Sequence, residues 1–428
     1  MSLRITDFVF EDDRPVETVD PAGDFGRVSG QFALHLRDGD GHVFVRDPLG
    51  VNKLFFAIDD GGEIESASFW IDLVRSGHRA TDVWSVPSGH VMRLDPAKQG
   101  FELTRVSELD FAEEPPRDGR EALAARIRAR LDACFRGLGE ALEGRAVYVT
   151  LSGGLDSSGI AALAKEHLGS FTAVTFARAE EAETTGTDLD AARQVAAALD
   201  VPFEIVRPTG DDVVAQLDDA LVHGQDWREF NVHCALVNAC VADGIAAHHE
   251  ASGAPGRPVV LTGDGMNELV ADYTAVTYGG RDYYRLPRMT PGRLRRFLVS
   301  GLDAGDREIG IFAARGIDAL QPYAICADAY AAVPDAWLRE EDAKQALARD
   351  VIGNVLPEFV YMRPKVRAQV GSSAEVGGTL GLLADRGLDQ QALADRFATL
   401  FGVESDELRG MIRAGFYRFP TSYPGART

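Results

Sequence analysis

The feature that most constrains the fold is a short apolar segment that runs into a serine- and glycine-rich turn and then a helix. Residues 147–151 form a predicted buried strand, residues 152–158 the turn, and residues 156–168 an alanine-rich helix. In open α/β sheets such a turn lies at the carboxyl edge, where ligands collect. Further predicted strands and helices alternate along the chain: strands at 171–176, 203–206 and 258–261, helices at 120–137, 189–199 and 232–249. The alternation predicts an α/β fold with a parallel sheet wound on both faces.

The turn is suited to an anion. Its sequence is Ser152-Gly153-Gly154-Leu155-Asp156-Ser157-Ser158. The two glycines allow a tight turn that presents backbone N–H groups, and the start of the helix adds unpaired N–H groups and a positive dipole end. Asp156 would repel a bare phosphate, which indicates a magnesium ion between the two. The turn lacks the lysine of the GxxxxGK[ST] loop, and a serine–glycine turn with Asp156 as helix cap is the purely structural alternative.

A second strand also runs into a glycine-rich turn and a helix. The sequence is Leu261-Thr262-Gly263-Asp264-Gly265-Met266-Asn267-Glu268-Leu269. By itself it is weak evidence, because a helix cap by Asp264 or Asn267 explains it equally well. On adjacent strands of one sheet, however, the two turns would face each other across a nucleotide.

Composition excludes several classes of protein. The 428 residues suffice for two or three domains, and the net charge of −22 argues against a nucleic-acid partner. The four cysteines form no CxxC pair, so a zinc site or a disulfide framework is not expected. No apolar run approaches the ~18 residues of a membrane span, and the start is unlike a signal peptide. A cytoplasmic protein without a membrane partner is therefore expected.

The region before residue 105 is predicted to be rich in β-strands. Residues 31–36 and 42–45 are predicted strands around the turn at 38–41, and residues 90–94 form a third. A charged stretch that contains Pro115 and Pro116 indicates a linker. We therefore predict a smaller domain over residues 1–112 and a larger one over 113–428, mainly helical from about residue 285.

These motifs resemble those of the asparagine synthetase and β-lactam synthetase family of ATP-pyrophosphatases. The turn at 152–158 is similar to the phosphate loop of its synthetase domain, and residues 262–269 resemble the SGEGADEL segment. Four shorter segments extend the resemblance from about residue 25 to about residue 370: residues 46–56 (RDPLGxKPLYY), 86–90 (VPPGH), 316–323 (GxExRxPF) and Arg363-Pro364-Lys365.

The resemblance implies ATP and Mg²⁺ as cofactors and a role for each motif. Asp156 and Asn267 would bind the magnesium ion, and Lys365 would be the cation at the reacting centre. Asp264, Glu268 and Asp318 are candidate bases, which the sequence does not rank. The implied nucleotide-binding residues are Leu151, Ser152, Gly153, Gly154, Leu155, Asp156, Ser157, Ser158, Val174, Thr175, Phe176, Thr262 and Gly263.

The chain also departs from the family pattern. Ser2 stands where glutamine-using members have a catalytic cysteine, and the stretch from Ser2 to Arg46 is too short for the front half of the glutaminase domain. Residues 1–112 are therefore expected to be a truncated, degenerate Ntn-hydrolase-like domain without glutaminase activity. Asn267 replaces the family's aspartate, while Leu320 and Ile325 replace an arginine and an aspartate and suggest a changed acceptor pocket.

The function expected on this basis is an amide-forming ligase that cleaves ATP to AMP and pyrophosphate. It would adenylate the carboxylate of a small molecule or peptide in specialised metabolism and couple it to an amine or ammonia without glutamine. Three alternatives stay open: a ring-closing synthetase of the β-lactam or lasso-peptide kind, a non-catalytic scaffold, and, against the charge, a modifier of tRNA. The oligomeric state is also open, with a homodimer as one option.

Overall fold

The structure of the chain is a computed structural model. It describes residues 3–180, 188–273, 275–363, 378–404, 406–408 and 417–424. Ser2 and the expected catalytic Lys365 lie outside these residues.

Antiparallel strands form the N-terminal unit, by which we mean residues 3–111. They make three sheets, in the orders β2-β1-β3, β10-β9-β5-β4 and β7-β6-β8. The strands are β1 (Phe8–Glu11), β2 (Arg14–Pro15), β3 (Val28–Gln31), β4 (Ala33–Asp38), β5 (Gly41–Arg46), β6 (Phe55–Ile58), β7 (Ile64–Ala67), β8 (Trp84–Ser85), β9 (His90–Asp95) and β10 (Gly100–Arg105), with helix α1 (Trp70–Arg75) after β7. The predicted hairpin is confirmed, since Asp38 pairs with Gly41 across a two-residue turn.

The four-stranded sheet of this unit has an apolar core on each face. Along β5, Val43 and Val45 belong to one cluster of buried side chains, and Phe44 between them belongs to another. Along β9, Val91 and Met92 divide between the same two clusters. Successive side chains of a strand point to opposite faces, so these apolar residues bury both faces of the sheet.

A five-stranded parallel sheet forms the centre of the rest of the chain. Its order is β13-β12-β11-β14-β17, and every neighbouring pair is parallel. The expected α/β fold class is thereby confirmed, since helices connect the strands. The strands are β11 (Val147–Thr150), β12 (Thr172–Phe176), β13 (Phe203–Val206), β14 (Val259–Leu261) and β17 (Asp318–Leu320). The edge strand β17 was not predicted, because Asp318 interrupts its short apolar run, whereas all three residues of β14 are apolar.

Helices make up most of the remaining described chain, together with one hairpin of β15 (Val276–Tyr278) and β16 (Arg281–Tyr283). The helices are α2 (Gly119–Ala141), α3 (Leu155–Leu168), α4 (Asp188–Ala198), α5 (Gly210–Ala215), α6 (Leu217–Gly224), α7 (Glu229–Ser252), α8 (Met266–Val270), α9 (Pro291–Asp303), α10 (Ile309–Ala313), α11 (Pro322–Ile325), α12 (Ala327–Ala331), α13 (Ala343–Ile352), α14 (Glu358–Met362), α15 (Gly378–Asp385) and α16 (Gln390–Phe401). All four helices predicted between residues 120 and 249 are present.

Helix α7 has a length and a composition that would allow it to cross a membrane. It is the one such helix among the residues described, and 61% of its most apolar stretch is buried inside the molecule. Burial of this kind is also typical of a core helix in a folded domain.

One continuous core joins the N-terminal unit to the parallel sheet. Phe8, Phe55 and Trp70 belong to the same cluster of buried apolar side chains as Val149 of β11. The predicted domain boundary at residue 112 falls between the end of β10 and the start of α2. It stays a prediction, and the shared core means that the two parts stabilise each other.

Candidate active site

The first loop, residues 151–158, connects β11 to α3 and is fixed by its own side chains. The Ser157 hydroxyl accepts a hydrogen bond from the Ser152 N–H (3.1 Å) and lies 3.0 Å from the Ser152 Oγ. Gly153 has φ +71°, and a Cβ atom there would lie 2.5 Å from the Ala191 carbonyl carbon. Only glycine therefore allows this turn to lie so close to α4. The result is a compact loop that leads directly into the N-terminus of α3.

The start of α3 supplies N–H groups that the helix itself does not use. The first bond within the helix runs from Ser158 N to the Gly154 carbonyl, at 3.0 Å. The preceding residues Leu155, Asp156 and Ser157 all line a cavity of about 240 Å³. Unpaired N–H groups and the positive end of the helix dipole favour an anion at this position.

The second loop, residues 262–268, connects β14 to α8 and touches the first. Strands β11 and β14 are neighbours, as the predicted pairing of the two loops requires. A Cβ atom on Gly263 would lie 2.7 Å from the Ser157 nitrogen, so glycine allows the two loops to meet. Both loops therefore form one wall of the same cavity.

Most of the residues expected from the sequence line this cavity. Those that do are Leu151, Ser152, Gly154, Leu155, Asp156, Ser157, Val174, Thr175, Phe176, Gly263, Asp264 and Asn267. Gly153, Ser158, Thr262 and Glu268 are adjacent in sequence but are not among the lining residues. Helix α7 also lines the cavity, through Phe230, Cys234, Val237, Asn238 and Val241.

The ammonium group of Lys344 lies beside Asp156 and Asn267, where the sequence predicted a magnesium ion. Its ammonium nitrogen lies 2.6 Å and 2.8 Å from the two Asp156 carboxylate oxygens, 2.6 Å from the Asn267 Oδ1 and 3.1 Å from the Asp272 Oδ2. The side chain is 8% exposed. Burial opposes its charge, but the carboxylates of Asp156 and Asp272 outweigh burial and raise the pKa of Lys344. The lysine is therefore positively charged inside the cavity wall.

These oxygens suit a magnesium ion by their chemistry. Carboxylate and amide oxygens are the ligands that Mg²⁺ uses in proteins, and here those of Asp156 and Asn267 converge on one point. The ammonium nitrogen of Lys344 is at that point. The residues present thus fit a divalent cation, which would have to share or replace the contacts of Lys344.

A second group of charged side chains surrounds Arg307. Its guanidinium donates to Asp264 (2.6 Å) and Glu268 (3.0 Å), and it lies 5.1 Å from the centre of the Phe230 ring. Burial disfavours its charge, but Asp264 and its other acidic neighbours raise the pKa of Arg307 well above the usual value. Tyr273 donates its hydroxyl hydrogen to Glu268. Arg307, Asp264 and Tyr273 line the same cavity as Lys344, and Glu268 lies behind them.

Glu308 is a cavity residue whose ionisation is altered by its surroundings. Its Oε2 accepts hydrogen bonds from the Thr262 hydroxyl (2.8 Å) and the Gln321 amide (2.7 Å). Burial raises the pKa of Glu308 to about 8, the nearby Asp264 adds to the effect, and Arg307 opposes it. A carboxyl group with a pKa near 8 can exchange a proton close to neutral pH.

The three expected bases differ in their surroundings. Burial raises the pKa of Asp264, although Arg307 opposes this. Burial also opposes ionisation of Glu268, but Arg307 and Tyr273 outweigh it and lower its pKa. Asp264 lines the cavity, whereas Glu268 is bonded behind it and is only 2% exposed. Asp264 is therefore the better placed of the two.

Asp318, the third candidate base, is not among the residues that line the cavity. It is the first residue of β17, so it lies at the amino end of the parallel sheet, opposite the two loops. There it forms ion pairs with Arg145 and Arg257 and accepts a hydrogen bond from the Thr6 hydroxyl (2.7 Å). The resemblance of residues 316–323 did not reveal at which end of a strand the aspartate would lie.

His233 of α7 directly precedes the cavity-lining residue Cys234. It is 2% exposed, its Nδ1 lies 2.6 Å from the Tyr284 hydroxyl, and it is not among the residues that line the cavity. Burial lowers the pKa of His233 to about 3. It therefore has a structural role.

Comparison with a family model covers both loops of the site but not Lys344. Residues 140–308 match the family model described as asparagine synthase, a stretch that contains both loops and ends at Glu308. No curated protein matches the chain. The remaining segments of resemblance, before residue 140 and after residue 308, stay predictions.

Three solved structures with similarity to the chain are all synthetases. The glutamine-dependent NAD⁺ synthetase from Acinetobacter baumannii in complex with ADP is 17% identical, with a TM-score of 0.27, over 44% of this chain and 32% of that one. The NMN synthetase from Francisella tularensis is 12% identical, with a TM-score of 0.32, over 71% and 99%. The NH₃-dependent NAD synthetase from Campylobacter jejuni, in complex with a nitrate ion, is 16% identical, with a TM-score of 0.25, over 35% and 61%.

The chain thus spans about a third of the length of the first of these structures. The match to the asparagine synthase family model covers residues 140–308, which is less than half of the chain.

Proposed function

We propose that the chain is an ATP-dependent ligase that adenylates a carboxylate, releases pyrophosphate and transfers the acyl group to an amine or to ammonia. The observation that carries the proposal is the presence of two kinds of group in one cavity. A buried cation and an anion-binding helix N-terminus form what we call its phosphate part, and two carboxyl groups with raised pKa values form what we call its amide part. The first part suits a leaving pyrophosphate and the second suits removal of protons from an amine.

At the phosphate part, the first loop and Lys344 would hold the pyrophosphate. Attack of a carboxylate oxygen on the α-phosphorus breaks the bond to the β-phosphate oxygen, so negative charge grows on the leaving group. Fixed positive charge and N–H groups stabilise such charge without rearrangement at the moment of reaction. A magnesium ion, when bound by Asp156 and Asn267, would neutralise further charge on the phosphates.

The base and ribose of ATP would lie between the sheet and α7. Val174 and Phe176 at the end of β12 line this part of the cavity, and Val237 and Val241 of α7 also line it. Apolar side chains on either side of a slot are suited to a flat heterocycle. Thr175 adds a polar group at the same strand end.

At the amide part, Asp264 and Glu308 would take the proton of the attacking amine. An amine enters as an ammonium ion at neutral pH and must lose a proton to attack the acyl-adenylate. The amine nitrogen then bonds to the acyl carbon, and AMP leaves with the electrons of the acyl–oxygen bond. A base with a pKa near the working pH is the most effective for this transfer.

We further propose that glutamine is not the nitrogen source. A glutamine-hydrolysing site requires an activated nucleophile, usually a thiol in this family. The four cysteines of the chain lie at positions 134, 234, 240 and 326, all after the N-terminal unit. The acid, the amine, and whether both belong to one molecule are to be determined by experiment.

The proposal is tested by measuring the release of AMP and pyrophosphate. Each assay contains ATP, magnesium, one member of a panel of carboxylic and amino acids, and either ammonia or a diamine as acceptor. Asp156→Ala and Lys365→Ala should abolish acid-dependent AMP formation. Lys165→Ala is a matched control, because Lys165 is on α3 but bonds only to the Asp200 carbonyl among the described residues (3.1 Å). If the wild type forms no AMP and calorimetry detects no ATP binding, the proposal is wrong and a scaffold role takes its place.

A further inference from the structure

The side-chain amide of Gln31 takes the place of a missing strand beside β17. Gln31 is the last residue of β3 in the N-terminal unit and is 1% exposed. Its Nε2 donates to the Ala319 carbonyl (2.8 Å), and its Oε1 accepts from the Gln321 N–H (3.0 Å). Since β17 pairs with β14 on its other side only, these are the backbone groups that an edge strand would leave unpaired.

The contact continues into the cavity. Gln321, whose backbone Gln31 holds, donates its side-chain Nε2 to the Glu308 Oε2 at 2.7 Å. The same oxygen accepts from the Thr262 hydroxyl of the second loop at 2.8 Å. Gln321 is 4% exposed, so water does not compete freely for these groups. Two consecutive contacts therefore connect the N-terminal unit to a carboxyl group of the candidate site.

The orientation of the Gln31 amide is determined by its partners. The Ala319 carbonyl can only accept and the Gln321 N–H can only donate, so exchanging the oxygen and nitrogen would break both bonds. Asn52 fixes the same orientation, because its Oδ1 accepts from the Gln31 Nε2 at 3.1 Å. Asn52 is itself fully buried and donates to the Asp7 carboxyl at 3.0 Å. The amide has a single arrangement that satisfies all of these groups.

We propose that Gln31 is a positioning residue for Glu308, acting through Gln321, and that the N-terminal unit is thereby a working part of the amide-forming half of the site. The proposal rests on the proposed function. It gives this unit a role that needs no glutaminase chemistry. It also explains why a buried amide, rather than an apolar side chain, meets the edge of the sheet.

A matched control exists on the same strand. The Thr6 hydroxyl of the N-terminal unit donates to the Asp318 Oδ1 at the amino end of β17, away from Gln321. Thr6→Val removes one contact between the unit and β17, and Gln31→Met removes the contacts at the other end with little change in volume. A purely structural role predicts similar consequences for the two variants, whereas a positioning role predicts different ones.

The kinetic experiment separates the two half-reactions in wild type, Gln31→Met, Gln321→Met and Thr6→Val. ATP–pyrophosphate exchange reports adenylation, and product analysis reports amide formation. We expect Gln31→Met and Gln321→Met to lower the rate of amide formation about tenfold or more and to leave exchange within about twofold. Thr6→Val should change neither. The double variant should be no slower than Gln321→Met, because both substitutions break one chain of contacts.

A second measurement does not depend on activity. The pH dependence of thermal stability is compared in wild type, Gln31→Met, Glu308→Gln and the double variant. Asp264, Arg307, Thr262 and Gln321 face Glu308 and are retained in all four proteins. A weakened Gln321 contact changes the ionisation of Glu308, so Gln31→Met should alter the pH profile only where Glu308 is present.

Equal losses of both half-reactions in Gln31→Met and Thr6→Val would overturn the proposal. So would a pH effect of Gln31→Met that persists in the Glu308→Gln background. Absence of any AMP formation by the wild type would instead contradict the proposed function, and the stability profiles would still decide whether Gln31 acts on Glu308.

Discussion

The two loops of the cavity are held in place in different ways. In the first loop, the serines at positions 152 and 157 bond to each other, five residues apart. In the second loop, Asp264 is bonded by Arg307 and Thr262 by Glu308, more than forty residues along the chain. The turn of the anion-binding loop is therefore shaped by local bonds, although Lys344 also contacts its Asp156, whereas the acid–base part depends on the tertiary fold. Substitutions in the two parts should have separable consequences.

Loss of Lys344 should have the largest effect. Lys344→Met removes the buried cation at the phosphate part, so we expect AMP formation to fall by about 10²–10³-fold, together with every later step. The carboxylates of Asp156 and Asp272 would also lose their shared partner, which costs about 3–5 kcal/mol of stability where ions are buried. Pyrophosphate release measures the loss of activity, and thermal melts measure the loss of stability.

Lys165→Met is the control for this variant, because it removes a partly exposed lysine from the adjoining helix α3. It should retain activity and stability. Full AMP formation by a folded Lys344→Met protein would show that the ammonium group takes no part in the reaction.

Glu308→Gln should separate the two parts. It keeps the size of the side chain and removes the proton acceptor, so we expect amide formation to fall by about 10²-fold or more while ATP–pyrophosphate exchange persists. In the wild type, amide formation should rise with pH towards about 8, as Glu308 ionises, and this limb should be absent in the variant. Equal loss of exchange and of amide formation would contradict the division of the cavity.

The same substitution should change how stability depends on pH. Burial raises the pKa of Glu308 from 4.5 to about 8, so between these values the folded state holds a proton that the unfolded state has lost. The free energy of unfolding should therefore decrease as pH rises from 4.5 to 8, by on the order of a few kcal/mol. Glu308→Gln should remove this component, and denaturant melts at pH 5 and pH 8.5 measure it. An unchanged difference between the two pH values would show that Glu308 titrates normally.

The contrast between the loops also determines how much could be predicted from the sequence. The strand, turn and helix around Ser152 were predicted because periodicity, glycines and serines lie within twenty residues. Lys344 gave no such signal, since a lysine near the start of an amphipathic helix is usually exposed. Gln31 is 288 residues from the carbonyl that it contacts, and no local pattern indicates such a pair. The position of Asp318 at the amino end of β17 was not predicted, because this residue interrupts the short apolar run of the strand.

Two neighbouring serines provide the smallest and most local test. Ser157 bonds to the backbone and side chain of Ser152, whereas the Oγ of Ser158, fully buried on the same helix, has no partner among the residues described. Ser157→Ala should cost about 1–2 kcal/mol of stability and weaken ATP binding several-fold, because the loop loses the bonds that shape it. Ser158→Ala should be neutral or slightly stabilising, since it removes a buried hydroxyl that is not compensated. Calorimetry compares the ATP affinities of the two variants, and thermal melts compare their stabilities. If they lose stability and affinity equally, the first loop is held by the surrounding fold rather than by its own side chains, and the difference between the loops disappears.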